Sequence, residues 1–308
     1  MFFFQHAPEA AVTTPSAPVS RSRSCGIRVA STLPEVVDAW RMVYQRYLAS
    51  GLIAAHPYQL HTAAEAVGPG TTTIREHRGQ ELSRTISSYL DSRRGLPLDA
   101  VYPTALQRAR TRGERLGEIG LLAECPAADD TAATRTQDLF AFMRYPVYAL
   151  YHQGASQVVI GVHPRHARFY ERLLGFEVAG PVVSYPRLLD RDVVLLRFDT
   201  ARLDDTDPAP RGLCYWRRHR LGPEAFADRC RFNPGEIAAS PLAGYLDWLQ
   251  ADNHPVDLPA GPSTAGVPCD LVDLLPQRAD RVDRALATKL VHARRPFRGH
   301  GHDLFCRS

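Results

Sequence analysis

Residues 158–180 read VVIGVHPRHARFYERLLGFEVAG, and no other stretch constrains the fold as much. A β-branched run ends at His163-Pro164. A short helix follows, from about Arg165 to Leu174. Phe169 and Leu173 are four residues apart, as are Tyr170 and Leu174, so two adjacent stripes can pack on a sheet. Arg165, Arg168, Glu171 and Arg172 take the other side. Gly175 stands where a helix needs a left-handed residue after its last turn, and Phe176 opens a new strand. Strand, polar turn, helix and strand in so short a span describe a helix crossing a sheet.

The rest of the chain supplies that sheet. Cys25 to Ala30 is a short strand. Ser31 and Thr32 offer N-caps, Pro34 falls near the first helical position, and Glu35 lies in the first turn. Leu33, Val36, Val37, Trp40, Val43, Tyr44, Tyr47 and Leu48 then recur at helical spacing up to Gly51. Residues 52–70 read as a loop or a second short helix. Thr71 to Glu76 and Glu81 to Leu90 form a hairpin around His77-Arg78-Gly79-Gln80. Thr104 to Arg115 is a basic helix. Leu116 to Glu124 is a strand in which Gly117 and Gly120 point to a bulge or a close approach. Leu139 to His152 is a long helix kinked at Pro146. Strands at 157–162, 177–184 and 192–198 complete a β-α-β-β-α-β-α-β-α-β-β order. The fold class is α/β, a mixed sheet with helices on both faces.

Three regions follow. Residues 1–24, rich in Ala, Pro, Ser and Thr, read as a disordered tail. Residues 25–200 form the main domain. The acidic, Pro-rich stretch 199–212 marks a boundary, and residues 201–308 are a partly helical extension of unknown role. Its clearest helix is Pro241 to Ala251.

Composition excludes several classes. No apolar run approaches the roughly 18 residues of a membrane-spanning helix, and the N-terminus lacks the basic start and long apolar core of a secretory signal. The six cysteines are scattered with no CxxC pair, which argues against a zinc ribbon or a disulfide scaffold and for reduced thiols in a cytoplasm. The formal charge is only +4 and no nucleic-acid motif is present, so no nucleic-acid partner is expected. His292, His300, His302 and Cys306 fit no structural zinc spacing, and no metal is expected.

Four segments carry a family resemblance: VDAWRMVYQRYLASGLI (37–53), TISSYLDSRRGLPLD (85–99), RLGEIGLLA (115–123) and HPRHARFYERLLGFEVAGPV (163–182). Over roughly residues 27–200 the chain resembles the FeeM-like long-chain N-acyl amino acid synthases. These are a branch of the GNAT acyltransferases close to the acyl-homoserine lactone synthases. The resemblance implies a GNAT acyl-CoA N-acyltransferase fold and transfer of a fatty acyl group from a thioester to a small amine. It also implies no bound cofactor, an acyl thioester as co-substrate, and acyl carrier protein as donor and partner. Ordinary GNAT enzymes hold the coenzyme A pyrophosphate on a Gly-rich loop. The corresponding stretch here, residues 125–137, contains no Gly, which agrees with a carrier-bound donor.

Amide formation from a thioester needs a neutral amine, a base for its proton, and an acid for the departing thiolate. The resemblance makes Glu118 the base; the alternative is a solvated edge-strand Glu. Many relatives carry Arg three residues further on, where this chain has Leu121. Tyr170 is the candidate acid, and its alternative is a ring packed against the sheet. The resemblance alone makes Asp91 and Asp99 substrate-binding residues that shape the acceptor loop; the alternative for Asp99 is a solvated loop acid. Arg165, His166 and Arg168 flank the expected pantetheine turn as donor-binding residues. Arg108, Arg110, Arg112 and Arg115 form a second basic patch for a carrier protein. The helices at 33–51 (Trp40, Val43, Tyr44, Tyr47) and 139–151 carry more apolar surface than one sheet contact uses. Trp40 and Tyr44 are therefore expected to line an acyl-chain tunnel. Two rivals remain: a GNAT acetyltransferase using acetyl-CoA, and a catalytically silent module that binds an acyl chain or a partner.

Overall fold

The computed structural model describes residues 25–125 and 132–250. The core is a seven-stranded sheet of order β1-β2-β3-β4-β5-β7-β6, with strands β1 (Cys25–Val29), β2 (Thr72–Arg78), β3 (Glu81–Leu90), β4 (Leu116–Glu124), β5 (Gln157–Val162), β6 (Glu177–Tyr185) and β7 (Arg191–Asp199). The β4–β5 pair is parallel and the others are antiparallel.

That parallel pair is short. It holds only at Leu116–Gln157, Gly117–Val158 and Glu118–Val159. Beyond Glu118, β4 stays with β3 and β5 stays with β7. The two strands therefore splay into a V with Glu118 at its vertex. A bulge next to Leu121, whose φ is +55°, bends β4 away. Such a φ costs a branched side chain energy and requires the surroundings to hold it. The bulge thus falls beside the glycines rather than on them. Gly117 instead marks a close approach, since a Cβ there would lie 2.5 Å from Leu150 of the covering helix.

Helix α1 (Leu33–Ala49) begins as its sequence dictates, with the Thr32 hydroxyl accepting from the Glu35 amide at 3.4 Å. It covers one face of the sheet together with the 52–67 connection, α2 (Pro103–Thr111), α6 (Pro234–Ala238) and α7 (Pro241–Gln250). The opposite face carries α3 (Ala132–His152), α4 (Pro164–Phe169) and α5 (Arg211–Arg218). α3 contains Pro146 and starts earlier than its apolar periodicity suggests. The 52–70 segment is a loop with one short 3-10 turn, Ala64–Ala66. After α4 the chain makes one π-helical turn, Tyr170–Leu174, and Gly175 ends it at φ +79° as its position requires.

The segment after residue 200 is bound into both cores. α5 buries Leu213 and Trp216 among the α3 side chains, and the Trp216 indole donates to the Phe140 carbonyl at 2.8 Å. On the α1 face, the Tyr245 hydroxyl of α7 bonds the Thr62 amide and carbonyl at 3.2 and 3.3 Å. Trp248 stacks on His56 at 4.8 Å, and Phe232 lies over Trp40 at 6.0 Å. The surplus apolar residues of α1 and α3 thus meet the chain's own residues 211–250. That cover gives the surplus apolar residues a place in the core.

Among the described residues no helix is long and apolar enough to cross a membrane, and no group of His, Cys, Asp and Glu is placed to hold a metal. The tail 1–24, the Gly-free stretch at 126–131, and His292, His300, His302 and Cys306 lie outside the described residues.

Candidate active site

Glu118 stands on the middle strand of the sheet, not on an edge, with 5% of its surface exposed. Its side chain points to the α1 face, as the burial of Leu116 two residues before it does. One carboxylate oxygen accepts from the Leu98 amide at 2.9 Å. Burial raises its pKa from 4.5 to about 8, against the opposing effect of that hydrogen bond. Removing a carboxylate from water penalises its charged form, so at pH 7 roughly one molecule in ten carries the charge. A carboxylate of this basicity is matched to an amine proton in a way an ordinary glutamate is not.

The Leu98 amide is held in place by a brace. It sits in a 3-10 turn, Pro97–Ala100, within the GLPLD segment. Asp99 accepts from the Leu96 amide at 2.7 Å, closing that turn on itself. Arg110 of α2 then grips Asp99 through two nitrogens at 2.7 Å and Asp91 at 2.6 and 3.0 Å. Gly95 makes the turn possible. Its φ is +75°, and a Cβ would fall 2.7 Å from an Asp99 oxygen. Asp91 and Asp99 therefore spend their charge on Arg110 and shape the loop that touches Glu118.

The wall around Glu118 contains residues the sequence did not single out. Tyr89 lies directly opposite it on β3. Burial, then the Glu118 carboxyl, pushes the Tyr89 phenol well above its usual range. Tyr185, at the end of β6, donates to the Pro97 carbonyl at 3.3 Å and is raised by burial and by Glu118 in the same way. Gly120 has no side chain on this face; a Cβ there would sit 3.5 Å from the Tyr89 hydroxyl and 3.9 Å from a Glu118 oxygen. A methyl there would make ordinary contact with both groups, so a larger side chain would cover them. At the rim, Arg187 forks onto Glu65 at 3.2 and 3.3 Å.

Tyr170 belongs to the other face. Its ring is fully buried against Phe169 and Phe176 in the α3-side core. Burial raises its phenol well above 10, and the next contribution comes from Tyr47 of α1, across the sheet. Glu118 and Tyr170 thus approach the V from opposite faces. The Tyr170 ring packs in the core, and burial keeps the proton on the hydroxyl at neutral pH.

The remaining sequence candidates divide. Arg165, His166 and Arg168 lie on α4, directly after the splayed end of β5. The Arg165 amide donates to the His163 ring at 3.3 Å, the Arg165 guanidinium bonds His166 at 3.1 Å, and Arg168 is exposed. Trp40 is fully buried and donates to Ser87 at 3.4 Å. The Tyr44 hydroxyl bonds the His56 backbone at 3.2 and 3.3 Å. Both are core residues under the α7 cover. In the basic patch Arg110 is committed to Asp91 and Asp99, and Arg112 pairs with Glu114 at 2.7 Å. Arg115 reaches the Gln153 carbonyl at 3.1 Å, while Arg108 stays exposed.

A mixed sheet whose one parallel pair splays at a buried carboxylate, crossed by a helix ending in Gly-Phe, is the architecture of the GNAT-like N-acyltransferases, and the chain is an acyltransferase of that class. A family model, the N-acyl amino acid synthase FeeM, matches residues 38–199, slightly more than half of the sequence, and the chain belongs to that family. A structure of FeeM, an N-acyl amino acid synthase from uncultured soil microbes, matches with a TM-score of 0.50 at 23% identity, covering 58% of this chain and 94% of that one. Two further structures are more distant: the AHL synthase LasI has a TM-score of 0.44 at 10% identity over 58% of this chain and 91% of that one. MesI, a CoA-dependent acyl-homoserine lactone synthase, has a TM-score of 0.44 at 14% identity over 64% of this chain and 97% of that one. No curated protein matches the sequence.

Proposed function

We propose that the chain makes N-acyl amino acids, taking a long-chain acyl group from an acyl carrier protein thioester and placing it on the amine of an amino acid. The observation that carries the chemistry is Glu118, buried at the vertex of the V and basic enough to accept an amine proton. The acceptor amine lies against Glu118, on the face where Gly120 has no side chain. Glu118 takes one N–H proton as the nitrogen attacks the thioester carbonyl. A C–N bond forms, the C–S bond breaks, and the thiolate leaves through the V. Tyr170 gives it a proton from the opposite face, which balances the one Glu118 received. The pantetheine arm lies in the gap between β4 and β5, beside Arg165, His166 and Arg168.

Carrier-bound donor is supported by the absence of Gly from residues 125–137, since a pyrophosphate cradle needs close backbone approach. Acyl length and the amino acid acceptor rest on family membership. The test is product analysis by mass spectrometry with acyl–carrier protein and acyl-CoA donors of two, eight and sixteen carbons, each offered a mixture of L-amino acids. N-palmitoyl amino acids formed faster from the carrier-bound donor support the reading. Equal kcat/KM at all three lengths, or preference for acetyl-CoA, replaces it with a short-chain acetyltransferase. Acyl binding with no transfer to any amine makes the chain a silent module.

A further inference from the structure

Arg187 and Glu65 form an ion pair unlike the one that braces the active-site loop. Arg110 holds its carboxylates at 2.6–3.0 Å, the range of tight charge-assisted hydrogen bonds. Arg187 meets Glu65 fork to fork but at 3.2 and 3.3 Å, with 40% of its side chain exposed against 20% for Glu65. The pair joins two short turns, Pro186–Leu188 and Ala64–Ala66, that border the Glu118 wall. Tyr185 links the two ends: its hydroxyl donates to the Pro97 carbonyl, next to the Leu98 amide that bonds Glu118, and Arg187 follows it by two residues. His61 also adjoins Arg187, and burial holds it neutral by pushing its pKa to about 3. Arg187 is thus a cation at this wall, while the strand position where many relatives carry Arg is Leu121, partly buried against the α1-side core.

An amino acid acceptor carries its amine and its carboxylate on one carbon. If the amine faces Glu118, the carboxylate needs a cation on the same wall, and Arg187 follows two residues after Tyr185, which bonds the Pro97 carbonyl there. We infer that Arg187 binds the acceptor carboxylate, and that the Glu65 carboxylate holds its place until the acceptor displaces it. Both oxygens of a carboxylate match a guanidinium fork, and Glu65 already shows the geometry that the acceptor would take over. The displacement also leaves Glu65 free beside the incoming ammonium group. This assignment rests on the reading of the acceptor as an amino acid.

The test uses the full chain with palmitoyl–carrier protein as donor, and compares each accepted L-amino acid with the amine it gives on decarboxylation. The amino acid is expected to exceed its amine by roughly 10- to 100-fold in kcat/KM, the scale of a charged hydrogen-bonded contact. Arg187→Gln should erase that preference, chiefly by raising KM for the amino acid. Arg187→Lys, which keeps the charge but not the fork, should restore part of it. Glu65→Gln should act in the opposite direction and lower KM for the amino acid several-fold. A folded Arg187→Gln enzyme that keeps the preference overturns the assignment, as does a wild-type enzyme that uses acid and amine equally. If Arg187→Gln does not fold, an unchanged or raised KM in Glu65→Gln overturns it. Transfer to neither kind of acceptor rejects the N-acyltransferase reading itself, an outcome distinct from loss of the preference alone.

Discussion

Glu118→Gln isolates the group on which the chemistry depends, because glutamine keeps an oxygen for the Leu98 amide and cannot ionise. The folded carboxyl titrates near 8 and its ordinary value is 4.5. Each unit is worth 1.36 kcal/mol, so the folded state favours the protonated form by roughly 4–5 kcal/mol, an upper bound before the site relaxes. Between pH 4.5 and 8 the folded chain holds more protons at this site than the unfolded chain. Stability contributed by Glu118 is therefore fully present below 4.5 and falls as pH rises toward 8. Every other titrating group is common to both proteins and cancels in their difference. Glu118→Gln and wild type should unfold at similar temperatures near pH 4.5–5. The variant should gain steadily above that and level off past pH 8, up to about 10 °C ahead. The same substitution should cut kcat/KM by roughly 10²-fold or more and remove the rise in rate near pH 8. Thermal unfolding by circular dichroism from pH 4.5 to 9, without substrates, separates the titration from the amine's own. Melting temperatures that run parallel across that range would refute the raised pKa, and an unchanged rate would remove Glu118 from the mechanism.

Arg110→Gln should loosen the Leu98 amide by freeing Asp91 and Asp99, at a cost of about 1–3 kcal/mol in stability. That amide favours the ionised form of Glu118, so its loss should move the rising limb of the pH–rate profile to higher pH; an unmoved limb means the brace does not act through Leu98. Trp216→Ala, outside the 38–199 family match, should cost about 3–5 kcal/mol in urea unfolding, and a loss below about 1 kcal/mol would show that α5 is not part of the core.

The parts of this molecule that were legible in its sequence are those fixed by local spacing. The 158–180 stretch carried its strand, helix stop and next strand within a few residues of one another, and each signal depended only on its neighbours. α1 was equally plain, with a hydroxyl cap, an early proline and an apolar stripe. Glu118 stood out because a charge between two glycines on an apolar strand needs an explanation. What the sequence hid are contacts between distant segments. α5, RGLCYWRR, has two buried apolar side chains among three arginines and reads as a polar linker; only the Phe140 carbonyl waiting on α3 shows why Trp216 is there. Asp91 and Asp99 were expected to shape the acceptor loop, but nothing in their spacing pointed to Arg110, eleven residues beyond Asp99, which bonds both.

The Glu65–Arg187 pair is the extreme case, since its partners lie 122 residues apart on loops with no periodicity. The order in which these groups are fixed bears on how the site works. Asp91, Asp99 and Arg110 hold one wall of the Glu118 pocket through short charged bonds closed within residues 91–110. The opposite wall rests on a longer, more exposed pair that joins two loops from distant parts of the chain. A rigid wall keeps the base aligned with its hydrogen bond, and pre-alignment is what a proton transfer requires. An exchangeable wall can trade an internal carboxylate for that of a substrate at little net change in charge or hydrogen bonding. Selectivity for the acceptor would then lie in the loosely held pair and catalytic power in the tightly held one, so substitutions at 65 and 187 should alter which amines are used, and substitutions at 110 how fast.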